Sequence, residues 1–349
     1  MYQQERKYIG DMSQLFLVKE YCYTSGKGAG LRAVDVANGS GLSLTVAKDR
    51  GMDLQYLSYK GVNLGFVTPA GVVAPQYYSD KGLDFLHSFT AGMLTTCGLQ
   101  YFGAPCSDAG EELGLHGRIS NTPAEQVGVE IQSDPDGEPV AVLTGTMREA
   151  RLFGANLRLT REIRCRYREN KVILTDTVEN LGFEDAEHML LYHFNFGYPL
   201  VCESSKMLVP ALSAEGSSPE AAAHMDNWNQ LEPPQRGYAE RVYMLKMARK
   251  ADNTSLAGVY NPDKGLGLVL RFDRSQLDCL SVWKLMAEGA YVLGLEPGTA
   301  YPRGRVTERE AGNVIILRPG ETRRYQLTLE ILDGERQLAA VEEEIHSMG

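Results

Sequence analysis

The chain has 349 residues, a formal net charge of −10 and a hydrophobic content of 43%. This length suits two average domains or one large all-β domain. The acidic balance makes nucleic acid a poor partner, and no apolar run of 18 residues is present to form a membrane-spanning helix. The six cysteines are scattered without C-x-x-C spacing, which excludes a zinc ribbon and favours reduced thiols.

The overall pattern of the sequence predicts an all-β protein. The first 14 residues carry charges but no apolar core, unlike a secretory signal, so we expect a cytoplasmic location. Short alternating stretches and 36 glycines predict many strands joined by turns, whereas helical periodicity is confined to the tail. We therefore expect one mostly antiparallel domain over residues 1–349, built as a β-sandwich or barrel with a short C-terminal helix.

The stretch GLHGR at residues 114–118 holds the first candidate functional residue. His116 lies between glycines and close to Arg118, in a segment too short and broken for a helix. A histidine in such a loop can bind a metal, transfer a proton or cap a turn. The motif alone does not decide among these roles.

Residues 156–182 are predicted to form a β-hairpin with its turn at residues 169–171. Alternation gives it an apolar inward face, made of Leu157, Leu159, Ile163, Cys165 and Tyr167. The polar face consists of Arg158, Thr160, Glu162, Arg164, Arg166 and Arg168. The arginine row indicates a solvated sheet face, with a ligand-binding patch as the alternative.

The stretch HMLLYHFNFGYPL at residues 188–200 is predicted to be a strand with one aromatic face. Tyr192, Phe194 and Phe196 share that face, which anchors the strand in a core. The opposite face presents His193 and Asn195 together, an unusual choice for packing alone. A hydrogen-bonded core histidine is the alternative interpretation.

Residues 211–237 form a polar insertion rich in proline, glycine and serine. Long loops on β scaffolds often border binding sites, so we expect this one near a cleft. A disordered insertion is the alternative.

The stretch GAYVLGLEPGT at residues 289–299 ends an apolar strand on a carboxylate. Glu296 and Gly294 share one face, just before Pro297. Partial desolvation there raises a carboxyl pKa towards that of a general base, and Gly294 leaves room for a ligand against the sheet. The alternative is a glutamate that accepts a hydrogen bond from a turn amide.

Two histidines and one glutamate permit two kinds of chemistry. A zinc site with an open position needs such ligands, but the sequence has no H-E-x-x-H motif. Metal-free acid–base catalysis needs one group that donates a proton and one that accepts it, on either side of a small polar substrate.

Five motifs, taken together, resemble the aldose 1-epimerase or galactose mutarotase-like superfamily. They keep the expected order and span most of the chain: KDRGMDL at 48–54, TTCGL at 95–99, GLHGR at 114–118, YHFNFGYPL at 192–200 and LGLEPGT at 293–299. Within the superfamily, the chain resembles more closely a bacterial branch known as a domain of unknown function. It implies a β-supersandwich of the galactose mutarotase type, with a sugar cleft on one sheet.

The resemblance also implies roles for three residues. Mutarotases of this superfamily carry a histidine in an H-G motif, a second on a strand after an N-L turn, and a late glutamate before a proline. These positions match His116, His193 and Glu296. His193 is then the general acid on the ring oxygen, Glu296 the general base on the anomeric hydroxyl, and His116 a group that polarises the ring oxygen. A bell-shaped pH profile is expected, with the carboxylate controlling the acidic limb.

The substrate contacts depart from the familiar mutarotases. TTCGLQYFG replaces their N-R pair, and their binding aspartate has no clear match, with Asp226 the nearest guess. The residues expected to contact the sugar instead are Arg50, Arg118, Asn195, Lys284 and Trp283. Trp283, Tyr101 and Phe102 are the candidates for an aromatic platform, and a place in the core is the alternative for all three.

The sequence therefore predicts a cofactor-independent aldose 1-epimerase with no metal. Its partner is expected to be a small-molecule carbohydrate, and a homodimer is the assembly to be tested. The alternative from another class is a non-catalytic carbohydrate-binding or sensing protein with the same cleft. A zinc hydrolase or isomerase built on the same three residues is a third hypothesis.

Overall fold

Antiparallel β-strands dominate the computed structural model, which describes residues 2–348. The strands of the first part are β1 Leu17–Cys22, β2 Arg32–Ala37, β3 Leu42–Ala47, β4 Asp53–Tyr59, β5 Val62–Asn63, β6 Phe66–Val67, β7 Ala91–Gly92, β8 Leu94–Leu99, β9 Cys106–Asp108, β10 Glu111–Leu113, β11 Glu125–Ser133 and β12 Pro139–Ala150. The later strands are β13 Asn156–Arg166, β14 Lys171–Asn180, β15 Ala186–Gly197, β16 Lys206–Leu208, β17 Ala211–Gly216, β18 Arg241–Met247, β19 Thr254–Asn261, β20 Leu266–Asp273, β21 Cys279–Ala287, β22 Ala290–Gly298, β23 Ile315–Leu317 and β24 Thr322–Asp333. The α-helices are α1 Tyr2–Glu5, α2 Pro219–Ala222, α3 Arg305–Glu310 and α4 Glu335–Ser347.

Two large sheets and one smaller sheet contain most of these strands. The eight-stranded sheet has the order β11-β12-β13-β14-β24-β20-β19-β16. The seven-stranded sheet has the order β17-β18-β21-β22-β15-β23, and β8 also pairs with β15. The N-terminal sheet runs β1-β2-β3-β4-β5. This arrangement confirms the predicted mostly antiparallel all-β fold with a short C-terminal helix.

One hydrophobic core joins the inner faces of these sheets. The predicted inward residues of the hairpin at β13 and β14 belong to it: Leu157, Leu159, Ile163, Cys165 and Tyr167. The aromatic face of β15, with Tyr192, Phe194 and Phe196, packs into the same cluster. The two-residue alternation therefore assigned the buried faces of both stretches correctly.

A buried arginine interrupts the apolar face of β13. Arg161 is fully buried and donates to Asp176 at 2.7 and 2.9 Å, to Asp53 at 2.7 Å and to Thr96 at 2.8 Å. Tyr192 donates to Asp176 at 2.8 Å. Because a buried charge needs paired partners, this network connects β13 and β14 to β4, β8 and β15.

The polar insertion is ordered into strand β17, helix α2 and a short 3₁₀ turn at Met225–Asn227. β17 forms the edge of the seven-stranded sheet beside β18. Within residues 2–348, none of the helices is long and apolar enough to cross a membrane.

Candidate active site

A cleft of about 320 Å³ opens on the outer face of the seven-stranded sheet. Strands β15, β22, β21 and β18 form its floor and contribute His193, Glu296, Trp283 and Met244. Loops from other parts of the chain form its walls, and one of them contributes His116. The structure thus brings together the two histidines and the glutamate that the sequence singled out.

The local backbone explains why His116 lies between glycines. His116 adopts a left-handed φ of 61°, which is uncommon for a non-glycine residue. A side chain on Gly117 would overlap the backbone oxygens of Tyr101 and Gly98, and one on Gly114 would overlap that of Asp80. Only glycine fits these close approaches, so the motif turns tightly and directs the histidine into the cleft.

His193 and Glu296 meet because their strands are neighbours in register. β15 pairs with β22 so that Asn195 lies opposite Gly294, which places His193 across from Glu296. Nε2 of His193 lies 3.3 Å from Oε1 of Glu296, and both side chains are buried. The two groups are close neighbours, although their contact does not have hydrogen-bond geometry.

Gly294 makes room for residues of the protein itself. A Cβ atom at this position would overlap the Glu296 carboxylate and the Trp283 side chain. The space that the sequence pattern assigned to a ligand is therefore taken by these two side chains.

Aromatic rings enclose the two histidines. The ring centroid of His193 lies 5.4 Å from that of His116, 5.5 Å from that of Phe89 and 5.4 Å from that of Trp283. The centroid of Phe85 lies 5.5 Å from that of His116. These contacts hold the imidazole rings in place.

Three polar atoms of the cluster have no hydrogen-bond partner among residues 2–348. They are Nδ1 of His116, Nδ1 of His193 and Oε1 of Glu296. Buried polar groups in folded proteins are almost always paired, so unpaired ones in a cleft point to a ligand that supplies the missing bonds. A polar, hydroxyl-rich ligand fits this requirement.

Burial shifts the pKa values of the cluster in opposite directions. Desolvation, with a smaller contribution from Glu240, raises the pKa of Glu296 to about 8. Desolvation, with a contribution from His116, lowers the pKa of His193 to about 3, and desolvation lowers the pKa of His116 to about 4. At neutral pH the ligand-free pair therefore holds a single proton on the carboxyl group, because a neutral pair costs less to bury than two charges.

Trp283 is the one predicted substrate contact that lines the cleft. Its Nε1 donates to Oε2 of Glu240 at 3.1 Å, which fixes the indole above the floor. The sequence suggested this aromatic platform, and the structure places it beside His193.

Two predicted contacts, Arg50 and Arg118, lie outside the cleft. Nη1 of Arg50 donates to the backbone oxygen of Val73 at 2.8 Å, in a buried position. Arg118 pairs with Asp80 at 2.8 Å and with Glu111 at 3.3 Å. Val73 and Asp80 are 23 and 38 residues away from these arginines, and Glu111 is seven residues away with no strand or helix spacing that marks it as a partner of Arg118.

The other two, Asn195 and Lys284, also fail to reach the cleft. Asn195 shares the face of His193, but it is fully buried and donates to the backbone oxygen of His193 at 2.9 Å. Lys284 follows Trp283 on β21, so strict alternation directs it to the opposite side of the sheet. There its Nζ lies 2.8 Å from Glu232.

The remaining platform candidates belong to a separate core. Tyr101 and Phe102 are buried in a small hydrophobic cluster with Cys97 and Met189. Asp226, in the insertion, does not line the cleft, whereas Ser217 of the same insertion does.

Most of the other residues that line the cleft were not predicted from the sequence, and Phe85, Phe89, Glu240 and Arg303 are four of them. Phe85 and Phe89 come from an irregular segment with a 3₁₀ turn, where no strand alternation marks a buried face. Glu240 precedes β18, and its parity with Val242 and Met244 would have placed it on the cleft side. Arg303 follows the Glu296 strand in a Pro-Arg-Gly turn, for which the sequence offers no periodic signal.

A metal site was the other chemistry left open for these residues. Among residues 2–348, no group of three or more His, Cys, Asp or Glu side chains has an arrangement that could hold a metal ion.

Fold and cleft together define a protein of the galactose mutarotase-like class. The chain belongs to the DUF4432 family, a domain of unknown function whose family model matches residues 28–331. No curated protein matches the sequence.

Several solved structures share this architecture. A candidate aldose 1-epimerase from Klebsiella pneumoniae subsp. pneumoniae has a TM-score of 0.90 and 30% identity, over 95% of this chain and 88% of that chain. A galactose mutarotase-like protein from Clostridium acetobutylicum has a TM-score of 0.64 and 14% identity, over 92% and 99% of the chains. Galactose 1-epimerase from Lactobacillus acidophilus has a TM-score of 0.59 and 13% identity, over 92% and 100%. The last two similarities concern the fold alone.

Proposed function

We propose that this protein is a cofactor-independent aldose 1-epimerase, which interconverts the anomers of a free sugar or sugar derivative. The observation that carries the proposal is the buried contact of 3.3 Å between His193 and Glu296 on the floor of an open cleft. Mutarotation needs one proton delivered and one removed, and this pair holds one proton and one vacant site. The name of the relative from Klebsiella agrees with this reaction.

The reaction can proceed without any group beyond the chain and its substrate. Transfer of the proton from Glu296 to Nε2 of His193 gives a carboxylate and an imidazolium. The carboxylate takes the proton of the anomeric hydroxyl, the C1–O1 bond becomes a carbonyl, and the C1–O5 bond breaks as the imidazolium protonates the ring oxygen. Both groups then return to their resting forms.

Ring closure completes the exchange by reversing these steps. The open-chain sugar rotates about its C1–C2 bond, so that the ring oxygen attacks the other face of the carbonyl. His116 stands beside His193, where it supports the ring oxygen with a hydrogen bond. Each positioned acid or base contributes a factor on the order of 10²–10⁴.

NMR exchange spectroscopy on a panel of free aldoses tests this proposal. The protein should accelerate anomer exchange above the spontaneous rate at substoichiometric concentration, and treatment with a chelator should leave the rate unchanged. Binding without acceleration would instead support the carbohydrate-binding alternative. Loss of activity with the chelator, together with stoichiometric zinc in the purified protein, would support the zinc hypothesis.

A further inference from the structure

We propose that the cleft selects a sugar with an apolar substituent on C5, that is, a 6-deoxyhexose. This inference rests on the proposed function, because it uses the histidines to orient the sugar ring. It adds the class of substrate, which the acid–base pair alone does not define.

One wall of the cleft is entirely apolar. A single short segment supplies four of its residues, namely Leu83, Phe85, Leu86 and Phe89. Leu83 and Leu86 are 60% and 52% exposed, although both are large hydrophobic residues. Exposed apolar side chains that border a cleft indicate contact with an apolar group of a ligand.

This wall stands directly beside the histidines. Phe89 packs on His193 and Phe85 packs on His116, both with ring centroids 5.5 Å apart. If the histidines face the ring oxygen, the two nearest substituents are O1 on C1, which takes part in the reaction, and the group on C5, each two bonds away from that oxygen. The C5 substituent therefore meets the apolar wall.

The polar groups of the cleft lie on another side. Ser217 follows β17 and Glu240 precedes β18, whereas His193 lies on β15. Strands β21 and β22 separate β18 from β15, but the Glu240 side chain reaches back to Trp283 on β21, which packs on His193. Ser217 and Glu240 are thus placed to meet hydroxyls at C2 to C4, and leave the C5 side without a partner.

The cationic residue of the cleft is already balanced. Nε of Arg303 donates to the carboxylate of Glu308, which is fully buried. The same carboxylate accepts from the backbone nitrogen of Tyr301 at 3.0 Å and from Asn313 at 2.7 Å. Because the charge of Arg303 stabilises this buried acid, it gives the cleft little net attraction for an anionic group on the sugar.

A hydroxyl on C6 would lose its hydrogen bonds to water beside this wall and would gain none from it. A methyl group there loses nothing and buries apolar surface. Hydrophobic pockets discriminate between such pairs by factors of about 10 to 100. We expect kcat/KM for a 6-deoxyhexose to exceed that of its parent hexose by about 10-fold or more.

Matched sugars test this selection directly. The series D-glucose, 6-deoxy-D-glucose, glucose 6-phosphate and D-glucuronate changes only C6, and D-galactose with D-fucose repeats the first comparison. Exchange spectroscopy gives kcat/KM for each sugar, and NMR titration gives its dissociation constant. Preference for the 6-deoxy sugar within a pair supports the inference, whereas equal or greater efficiency with the hydroxyl or anionic sugar overturns it.

A pair of matched variants assigns the preference to the wall. Leu86→Gln adds a polar group at the partly exposed rim, and should lower the 6-deoxy preference by about threefold. Leu152→Gln is the control, because Leu152 is 81% exposed and lies outside the cleft. An unchanged preference in Leu86→Gln, or an equal change in both variants, contradicts the inference.

The same experiments distinguish a failure of the epimerase proposal from a failure of the inference about the substrate class. If the protein accelerates exchange of no sugar in the panel, the epimerase proposal fails. The ratio of dissociation constants within each pair then still decides the substrate class. Tighter binding of 6-deoxy sugars supports the inference, and the absence of any such preference overturns it.

Discussion

Strand β15 carries two buried histidines that differ in one respect. Burial lowers the pKa of His188 to about 4 and that of His193 to about 3, so their titration hardly distinguishes them. Both nitrogens of His188 are paired, Nδ1 with the backbone oxygen of Leu99 at 2.9 Å and Nε2 with Tyr325 at 2.8 Å. Nδ1 of His193 has no partner within residues 2–348, and its Nε2 faces Glu296.

This difference separates a structural histidine from a functional one. His188 faces the protein interior, where its two hydrogen bonds connect β15 to β8 and β24. His193 faces the cleft and keeps hydrogen-bonding capacity for a ligand. Hydrogen-bond satisfaction therefore distinguishes the two roles, whereas burial and pKa do not.

His193→Asn should have the largest effect on activity. The variant loses the group that protonates the ring oxygen, and anomer exchange should slow by about 10²-fold or more. Its stability should change less than its activity, because Nδ1 of the imidazole has no hydrogen-bond partner among residues 2–348. Exchange spectroscopy and urea unfolding measure the two quantities, and a variant as active as wild type would remove His193 from the mechanism.

Glu296→Gln should alter the pH dependence of stability. The pKa of Glu296 rises from 4.5 to about 8 on folding, so the folded protein holds a proton that the unfolded chain releases between these values. Wild-type stability therefore falls as the pH rises through this window. Glutamine has no such proton, so the stability of the variant relative to wild type should increase by about a few kcal/mol between pH 4.5 and pH 8. Urea unfolding at both pH values measures this change, and a constant difference would contradict the raised pKa.

His188→Asn should show the opposite pattern from His193→Asn. The variant leaves the Leu99 carbonyl or the Tyr325 hydroxyl without a partner, at a cost of about 1–3 kcal/mol in the free energy of unfolding. Exchange activity of the folded variant should stay close to wild type, because His188 faces away from the cleft. A selective loss of activity with normal stability would break the comparison.

The pH profile of the exchange rate should depend on the number of protons that His193 and Glu296 hold together. The rate should be highest while the pair holds one proton, between pKa values of about 3 for His193 and about 8 for Glu296. The basic limb then reflects loss of the carboxyl proton, which reverses the assignment made from the sequence. The exchange rate of wild type across this pH range tests which group controls which limb. An acidic limb centred near pH 4.5 would support the assignment made from the sequence, in which the carboxylate controls that limb.

Much of the fold could be predicted from the alternation of apolar and polar residues, because this alternation depends on the local geometry of each strand. The inward faces of β13 and β15 were predicted correctly, since a strand exposes every second residue to the same side. Arg161 was not predicted, because a charged residue at an inward position is stable only with Asp53 and Asp176, which other strands supply. The sequence does not show that those partners meet it.

Residues of the site could be predicted only where strand alternation or the family resemblance identified them. His116, His193 and Glu296 came from motifs that keep their order along the chain. Arg50 and Arg118 were misplaced because their partners are remote in sequence. Phe85 and Phe89 escaped notice because irregular loops have no period, and only the fold places them against the histidines.

The most direct test of the central claim is anomer exchange by the Glu296→Gln variant under saturating sugar. The substitution keeps shape and hydrogen bonding but removes the group that takes the anomeric proton. We expect sugar to bind with nearly the wild-type dissociation constant, while the maximal exchange rate falls by about 10²-fold or more. A maximal rate equal to that of an active, metal-free wild type would contradict the account, because the base would then lie elsewhere in the cleft.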